Sequence, residues 1–143
     1  CAPCRYYGTD LDQHRVEEAG RINPSGIFVC ASSSRLPFPD AYFDRILAAG
    51  LFHHVDDVTA DLILQEYSRL IRPGGFLIVY EAIWPIKKYN LWGKLVRKMD
   101  QGNFVRHVSG YDRLFNRYFD IEARTHPFRL GVDYYLAMLT VKK

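Results

Sequence analysis

The apolar positions of the chain fall into short runs that have the length of β-strands. Such runs occupy residues 6–9, 27–30, 43–49 and 76–81, and polar or turn-forming residues bound each of them. Runs that are apolar on both faces are typical of a parallel sheet covered on both sides. The pattern therefore predicts four buried, parallel strands in the first half of the chain.

Helical periodicity lies between these runs. Residues 13–20 are predicted to form a helix that Asp12 caps and Gly20 ends. A second helix is predicted over residues 61–71, and it ends before the Pro-Gly-Gly turn at residues 73–75. One face of this second helix carries Ile63, Tyr67, Leu70 and Ile71. Strands that alternate with helices predict an α/β fold.

The last part of the chain has a different pattern. Helices are predicted over residues 86–99 and 112–117. The apolar side of the first consists of Ile86, Leu91, Leu95, Val96 and Met99. Two strands are predicted over residues 119–128 and 134–142, and the short link at residues 129–133 should make them pair antiparallel.

Composition narrows the class of protein. The length fits one domain, 1–143, in which residues 82–117 would form a lid or substrate segment. A hydrophobic content of 48% and a charged content of 24% are ordinary for a globular protein. The net charge of +3 is too small to indicate nucleic-acid binding. No signal peptide and no apolar run of roughly 20 residues is present, so we expect a cytoplasmic protein without a transmembrane segment.

The three cysteines do not form a recognisable site. Cys1, Cys4 and Cys30 are an odd number, and the first two have no second CxxC pair to complete a zinc site. Neither a disulfide framework nor a metal centre is therefore predicted, which agrees with a reducing compartment.

Four short motifs follow one another in the first half of the chain. They read YGTDLD at residues 7–12, SRLPFPD at 34–40, LFHHVDD at 51–57 and LIRPGG at 70–75. In order and spacing they resemble segments from the second to the fifth strand of class I S-adenosylmethionine (SAM)-dependent methyltransferases, and among these the type 11 methyltransferase domain. The resemblance implies a Rossmann-like, mostly parallel sheet with a terminal antiparallel hairpin, and SAM as the cofactor.

The resemblance places Asp10 at the acidic end of the family's second strand. An ionised carboxylate offers only acceptors, so Asp10 can accept both ribose hydroxyls of a nucleoside at the carboxyl end of that strand. The neighbouring Leu11 can offer an apolar face to adenine. The alternative is that Asp10, like Asp12, only caps the following helix.

Two further contacts with the cofactor are implied by the resemblance. Ser32 stands where the family often has an Asp that accepts from the adenine amino group, and the backbone near Ser33 can donate to a ring nitrogen. A hydroxyl accepts a hydrogen bond without charge assistance, so the affinity for adenine should be lower than with an Asp at this position. The alternative is that these residues form a polar loop that binds no ligand. The backbone of Ala48 and Ala49 should pass the methionine part of SAM.

His53 and His54 invite a catalytic interpretation, because a histidine near neutral pH can take a proton as a methyl group transfers. In related sequences such a pair often serves packing and loop shape instead. Methyl transfer mainly needs in-line positioning, so no catalytic side chain is assigned. Glu81 either orients a substrate or is a solvated strand end.

Residues 87–98 mix basic and aromatic side chains. They form either a surface helix that covers the substrate site or a contact with a membrane surface or an anionic substrate, with Trp92 at the interface. Arg106, His107 and Tyr111 are further residues that could reach a substrate.

The glycine-rich loop that opens the family's cofactor domain has no counterpart, since the ten glycines contain no GxGxG arrangement. The family's first strand is central, and its removal would leave unpaired edges across a gap of about 10 Å. We therefore expect the chain to be an N-terminally truncated fragment that lacks the first strand and this loop, and that is inactive alone.

The leading hypothesis is a SAM-dependent methyltransferase that acts on a small-molecule, lipid or saccharide acceptor. The alternative is a catalytically inactive methyltransferase-like scaffold or partner subunit, which Ser32 in place of an acid favours. A nucleotide-dependent oxidoreductase is disfavoured by the turn at residues 73–75 and the terminal hairpin. The acceptor and the oligomeric state are left open.

Overall fold

The computed structural model describes residues 5–99 and 102–142. They belong to two compact units, Cys1–Phe38 and Pro39–Lys143. Cys1 and Cys4 lie outside the described residues, and Cys30 is exposed. None of the helices in the described part of the chain has the length and apolar character needed to cross a bilayer.

The first unit contains two parallel strands and one helix: β1 (Tyr7–Asp10), α1 (Gln13–Ile22) and β2 (Ile27–Cys30). The Asp12 side chain accepts a hydrogen bond from the backbone N–H of His14, which confirms its prediction as the N-cap of α1. Gly20 does not end the helix as predicted. The chain leaves α1 at Asn23, whose backbone N–H donates to the carbonyl of Ala19.

The second unit is built on a mixed sheet in the order β3-β4-β7-β5, with β6 paired to β7. The pair β3 and β4 is parallel, whereas β7 runs antiparallel to β4 and β5, so the predicted terminal antiparallel hairpin is confirmed. Its elements are β3 (Phe43–Ala49), α2 (Asp57–Leu70), β4 (Ile71–Ala82), α3 (Leu91–Met99), α4 (Val108–Phe115), β5 (Phe119–Thr125), β6 (Phe128–Arg129) and β7 (Val132–Val141).

Helix α2 begins four residues before its predicted start. The Asp56 side chain accepts from the backbone N–H of Thr59 and caps the helix, so the chain becomes helical at Asp57. The helix ends at Leu70 because Ile71 adopts an extended backbone and starts β4. The predicted turn at residues 73–75 lies within β4, where the pairing with β3 shifts register.

The prediction that the strands are covered on both faces was wrong for β3. Within the described residues β3 is an edge strand with β4 as its neighbour, and Leu47 on one face is 66% exposed while the adjacent Ala48 is buried. None of the residues of β1 and β2 is buried either. Among the four predicted buried strands, β4 has the burial that its apolar run predicts.

The core of the second unit lies between the sheet and the pair α2 and α4. Helix α2 contributes Ala60, Ile63, Leu64, Tyr67 and Leu70, which includes most of the predicted apolar face. Three aromatic rings, of Tyr111, Phe115 and Tyr135, pack with centroids 5.4 to 5.7 Å apart. Helix α4 begins at Val108 and not at residue 112, so it includes Tyr111 of this cluster.

Helix α3 differs most from its prediction. It begins at Leu91, five residues after the predicted start, and the residues it buries are Gly93 and Arg97. The predicted apolar side is turned outward, with Leu91 72% and Met99 76% exposed.

Substitution of Leu64 tests the packing of α2. Leu64 is fully buried, so Leu64→Ala should lower the free energy of unfolding by about 2–5 kcal/mol in urea titration of the intact protein. Leu62 lies on the same helix and is 50% exposed, so Leu62→Ala should change it by less than about 0.5 kcal/mol. Equal losses in the two variants would contradict this packing.

Candidate functional site

The carboxyl end of β1 presents the carboxylate of Asp10. Its Oδ1 accepts the backbone N–H of Asp12 at 2.9 Å, and its Oδ2 lies 4.0 Å from Nη1 of Arg15. The side chain is 41% exposed. Asp10 therefore supports the turn into α1 and still has acceptor capacity that faces solvent.

The loop after β2 lies beside the residues that follow β1. Asp10 is in register with Cys30, the backbone N–H of Ala31 donates to the Asp10 carbonyl at 3.0 Å, and the Cys30 thiol lies 3.4 Å from the carbonyl of Leu11. The parallel pairing thus brings Asp10 and Leu11 close to the loop that contains Ser32 and Ser33.

Side chains in this part of the first unit fit a nucleoside. Leu11 is 74% exposed, which leaves an apolar face beside the Asp10 carboxylate. Ser32 is half-buried, and its hydroxyl shares a 2.8 Å hydrogen bond with the hydroxyl of Ser34. A hydroxyl can still accept a second hydrogen bond, so the donor and acceptor set suits a ribose and a planar base.

The carboxyl end of β3 is made of small residues. Ala48 is buried and Ala49 is exposed, and Gly50 follows with φ +65°. The backbone N–H of Gly50 donates to the carbonyl of Tyr80 at 2.8 Å, which extends the pairing with β4 by one residue. A left-handed conformation favours glycine, and it directs the chain into the following loop.

Glu81 is the buried charge beneath that loop, defined here as the β3–α2 loop, residues 50–56. Its side chain is fully buried. Oε1 accepts the backbone N–H groups of Leu51 at 2.8 Å and Phe52 at 2.9 Å. Oε2 accepts the backbone N–H of His53 at 3.3 Å and lies 2.8 Å from its Nδ1. Both carboxylate oxygens are therefore engaged by the β3–α2 loop.

These contacts overturn one interpretation of Glu81 and give the surroundings of the two histidines. The interpretation of Glu81 as a solvated strand end was wrong, because its carboxylate is buried. His53 is also buried, at 8% exposure, and its Nδ1 points at Glu81. His54 is exposed, and its ring centroid lies 4.0 Å from that of His53.

Arg106 holds the same loop from another side. Its guanidinium donates to the carbonyls of Phe52 and Val55 and forms an ion pair with Asp57 at 2.6 Å. A carboxylate can only accept, whereas a guanidinium can only donate. Glu81 therefore accepts from three N–H groups of the β3–α2 loop, and Arg106 donates to two of its carbonyls.

The segment before Arg106 packs directly on His53. The backbone N–H of Phe104 donates to the His53 carbonyl at 3.0 Å. A Cβ atom at Gly102 would lie 2.8 Å from the same carbonyl oxygen and would also collide with the imidazole ring. Glycine is required at residue 102 because any larger residue would displace His53.

The structure gives different surroundings to the three residues that could reach a substrate, Arg106, His107 and Tyr111. The Tyr111 side chain is fully buried and its hydroxyl donates to the carbonyl of Ala82 at 3.1 Å. Burial raises the pKa of the Tyr111 phenol well above its ordinary value, and the nearby Glu81 carboxylate adds to the rise. Arg106 is engaged with the β3–α2 loop, whereas His107 is exposed.

Sequence reasoning missed the paired contacts of Glu81 and Arg106 with the loop. One signal was present for Glu81. An acidic residue directly after the apolar run at residues 76–80 must find partners if the strand continues into the core. Arg106 gave no comparable signal, because its partners lie about fifty residues earlier in the chain.

Glu81→Gln tests the role of the buried carboxylate. The amide would place N–H groups against N–H groups of the loop, so the free energy of unfolding should fall by about 1.5 kcal/mol or more. Amide hydrogen exchange at Leu51, Phe52 and His53 should become faster. Glu122→Gln is the matched control, since exposed Glu122 can keep its bond to Thr140. Unchanged exchange in Glu81→Gln would contradict the role.

Comparison with known proteins identifies the family. A family model described as a methyltransferase domain matches residues 1–79. The ubiquinone/menaquinone biosynthesis C-methyltransferase UbiE of Burkholderia multivorans is 31% identical over 121 residues, which are 82% of this chain and 46% of the relative. The same protein of Burkholderia cenocepacia matches with the same identity and coverage. The chain spans about half the length of these curated relatives.

Solved structures share the fold. The PH0226 protein of Pyrococcus horikoshii has a TM-score of 0.77 at 20% identity and covers 96% of this chain and 72% of its own. A SAM-dependent methyltransferase of Methanosarcina mazei has a TM-score of 0.77 at 18% identity, with 96% and 82% covered. The N-methyltransferase NodS of Bradyrhizobium japonicum with S-adenosylhomocysteine has a TM-score of 0.75 at 13% identity, with 97% and 67% covered. The predicted Rossmann-like methyltransferase fold is confirmed.

The family match covers more than half of the chain, and it agrees with the curated relatives. The predicted cofactor, SAM, is therefore confirmed as that of the family. The chain belongs to the class I SAM-dependent methyltransferases.

Proposed function

We propose that the intact protein transfers the methyl group of SAM to a small-molecule acceptor. The observation on which this proposal rests is the match of residues 1–79 to the methyltransferase domain. The exposed carboxylate of Asp10 beside Leu11 adds support, because it offers the acceptor and apolar groups that a nucleoside requires.

We propose an aromatic ring carbon as the first acceptor to test. The relatives at 31% identity are named as C-methyltransferases of ubiquinone and menaquinone biosynthesis. That identity covers about half of their length, so lipid and saccharide acceptors stay in the assay as comparisons.

The residues of the first unit would hold the nucleoside part of SAM. Asp10 would accept the ribose hydroxyls, Leu11 would cover one face of adenine, and Ser32 with the backbone of Ser33 would bind its polar edge. Ala48 and Ala49 remain the predicted neighbours of the methionine part. SAM supplies a methyl group on a positively charged sulfur, which is electrophilic without help from a metal.

The β3–α2 loop would act by position. Glu81 and Arg106 fix its backbone from two sides, so His53 has one orientation. His53 is buried and its Nδ1 faces the Glu81 carboxylate, so in this proposal His53 shapes the loop and no general base is assigned. Precise placement of a nucleophile in line with the methyl group and sulfur is itself worth several orders of magnitude in rate.

The activity is tested with isotopically labelled SAM and the intact protein. We expect label in an aromatic acceptor, a product heavier by one methyl group, and equimolar S-adenosylhomocysteine. Binding of SAM without label in any of the three acceptor classes would favour the inactive scaffold. Absence of SAM binding would contradict the proposed function itself.

A pair of aspartates separates cofactor binding from helix capping. Asp10→Ala should weaken SAM binding by about 1.5–3 kcal/mol in calorimetric titration, because a charge-assisted bond to ribose is lost. Asp12→Ala removes the N-cap of α1 and should lower stability by about 1 kcal/mol, with SAM affinity nearly unchanged. Unchanged affinity in Asp10→Ala would remove this residue from the site.

A further inference from the structure

Helix α3 is oriented with its apolar stripe away from the protein. Leu91, Leu95 and Met99 recur at every fourth position and are 72%, 50% and 76% exposed. On the opposite side the buried residues are Gly93 and Arg97. A surface helix normally buries its apolar stripe against the core, so this helix is inverted.

The inversion is fixed by specific contacts of Arg97. Its guanidinium is buried, donates to the carbonyls of Ile83 at 3.0 Å and Asp133 at 2.7 Å, and lies 5.0 Å from the centroid of the Tyr134 ring. Rotation of α3 to bury its leucines would break these bonds. The outward stripe is therefore a stable property of the second unit.

The turn between β6 and β7 extends the exposed apolar surface. Trp92 Nε1 donates to the Leu130 carbonyl at 3.2 Å, and Asn90 Nδ2 donates to the Gly131 carbonyl at 2.8 Å. Leu130 is 95% exposed at this turn. We name the combined surface the α3–turn patch. Its apolar members are Tyr89, Leu91, Trp92, Leu95, Met99, Phe128 and Leu130.

The charged residues of the same segments are all basic. No Asp or Glu occurs in residues 86–99 or 127–132. The exposed or partly exposed cations beside the patch are Lys87, Lys88, Lys94, Lys98 and Arg129. An apolar helix face with Trp and Leu, flanked by lysines, suits the boundary between lipid headgroups and acyl chains.

We propose that the α3–turn patch docks the protein on the surface of an anionic lipid bilayer. The apolar stripe would enter the headgroup region, while the flanking cations would contact acidic headgroups. A second copy of the chain fits less well. A two-fold contact through this patch would bring the same cations together, and like charges in an interface are unfavourable.

Sedimentation with vesicles tests the proposal on the intact protein, without SAM or acceptor. The vesicles contain phosphatidylcholine alone or equal parts of phosphatidylcholine and phosphatidylglycerol. We expect binding to the anionic vesicles that is roughly tenfold or more tighter than to the neutral ones and that weakens with salt.

Two sets of variants locate the binding surface. Leu91→Ser, Leu95→Ser and Met99→Ser combined should weaken binding roughly tenfold or more, as should Lys94→Glu combined with Lys98→Glu. The control combines Val58→Ser with Leu62→Ser, which are also exposed apolar residues of a helix, and it should bind like wild type. Circular dichroism checks that each variant is folded.

Several results would overturn the proposal. They are absence of binding to anionic vesicles, equal binding to neutral vesicles, and equal binding by the triple variant and wild type. Light scattering that shows a dimer, converted to a monomer by the triple variant, would assign the patch to a second copy instead. Because the assay contains no SAM, its outcome is separate from that of the methyl-transfer assay.

Discussion

The second unit depends on one buried carboxylate. Glu81 stands near the end of β4, where its side chain is fully buried, and an ionised side chain there is unfavourable unless hydrogen bonds compensate for the lost water. The N–H groups of Leu51, Phe52 and His53 supply that compensation. The loop amides in turn need an acceptor, and the Glu81 carboxylate takes the place that water would otherwise fill.

The same constraint extends to the helices around the loop. Arg106 binds loop carbonyls and Asp57 at the start of α2, and its guanidinium also lies 5.7 Å from the centroid of the Tyr111 ring in α4. The Glu81 carboxylate thus binds N–H groups of the loop, and the Arg106 guanidinium binds its carbonyl groups. In the function proposed above, a loop fixed in this way would present His54 and the end of β3 in one arrangement, as in-line methyl transfer requires.

The sequence predicted those features that depend on neighbours along the chain. The bounds of β2 and β3 follow from short apolar runs, and Asp12 caps α1 by a contact with His14. The resemblance assigned Asp10 and Ser32 to one ligand, and the parallel pairing of β1 and β2 places Asp10 beside the start of the loop that contains Ser32.

Features that depend on contacts distant in sequence were not predictable in the same way. Arg97 determines which face of α3 packs on the second unit, and one of its partners is the carbonyl of Asp133. The hydrophobic periodicity of the segment does not show on which face a buried arginine will lie. The exposure of Leu47 depends on what covers its face of β3 within the described residues, and the apolar character of the strand does not report this.

A crystal structure of the intact protein with S-adenosylhomocysteine tests the account most directly. We expect both ribose hydroxyls within hydrogen-bond distance of the Asp10 carboxylate, while Glu81 still accepts the amides of Leu51 and Phe52. A ribose bound away from Asp10, or a Glu81 side chain that leaves the loop to contact the ligand, would contradict the account.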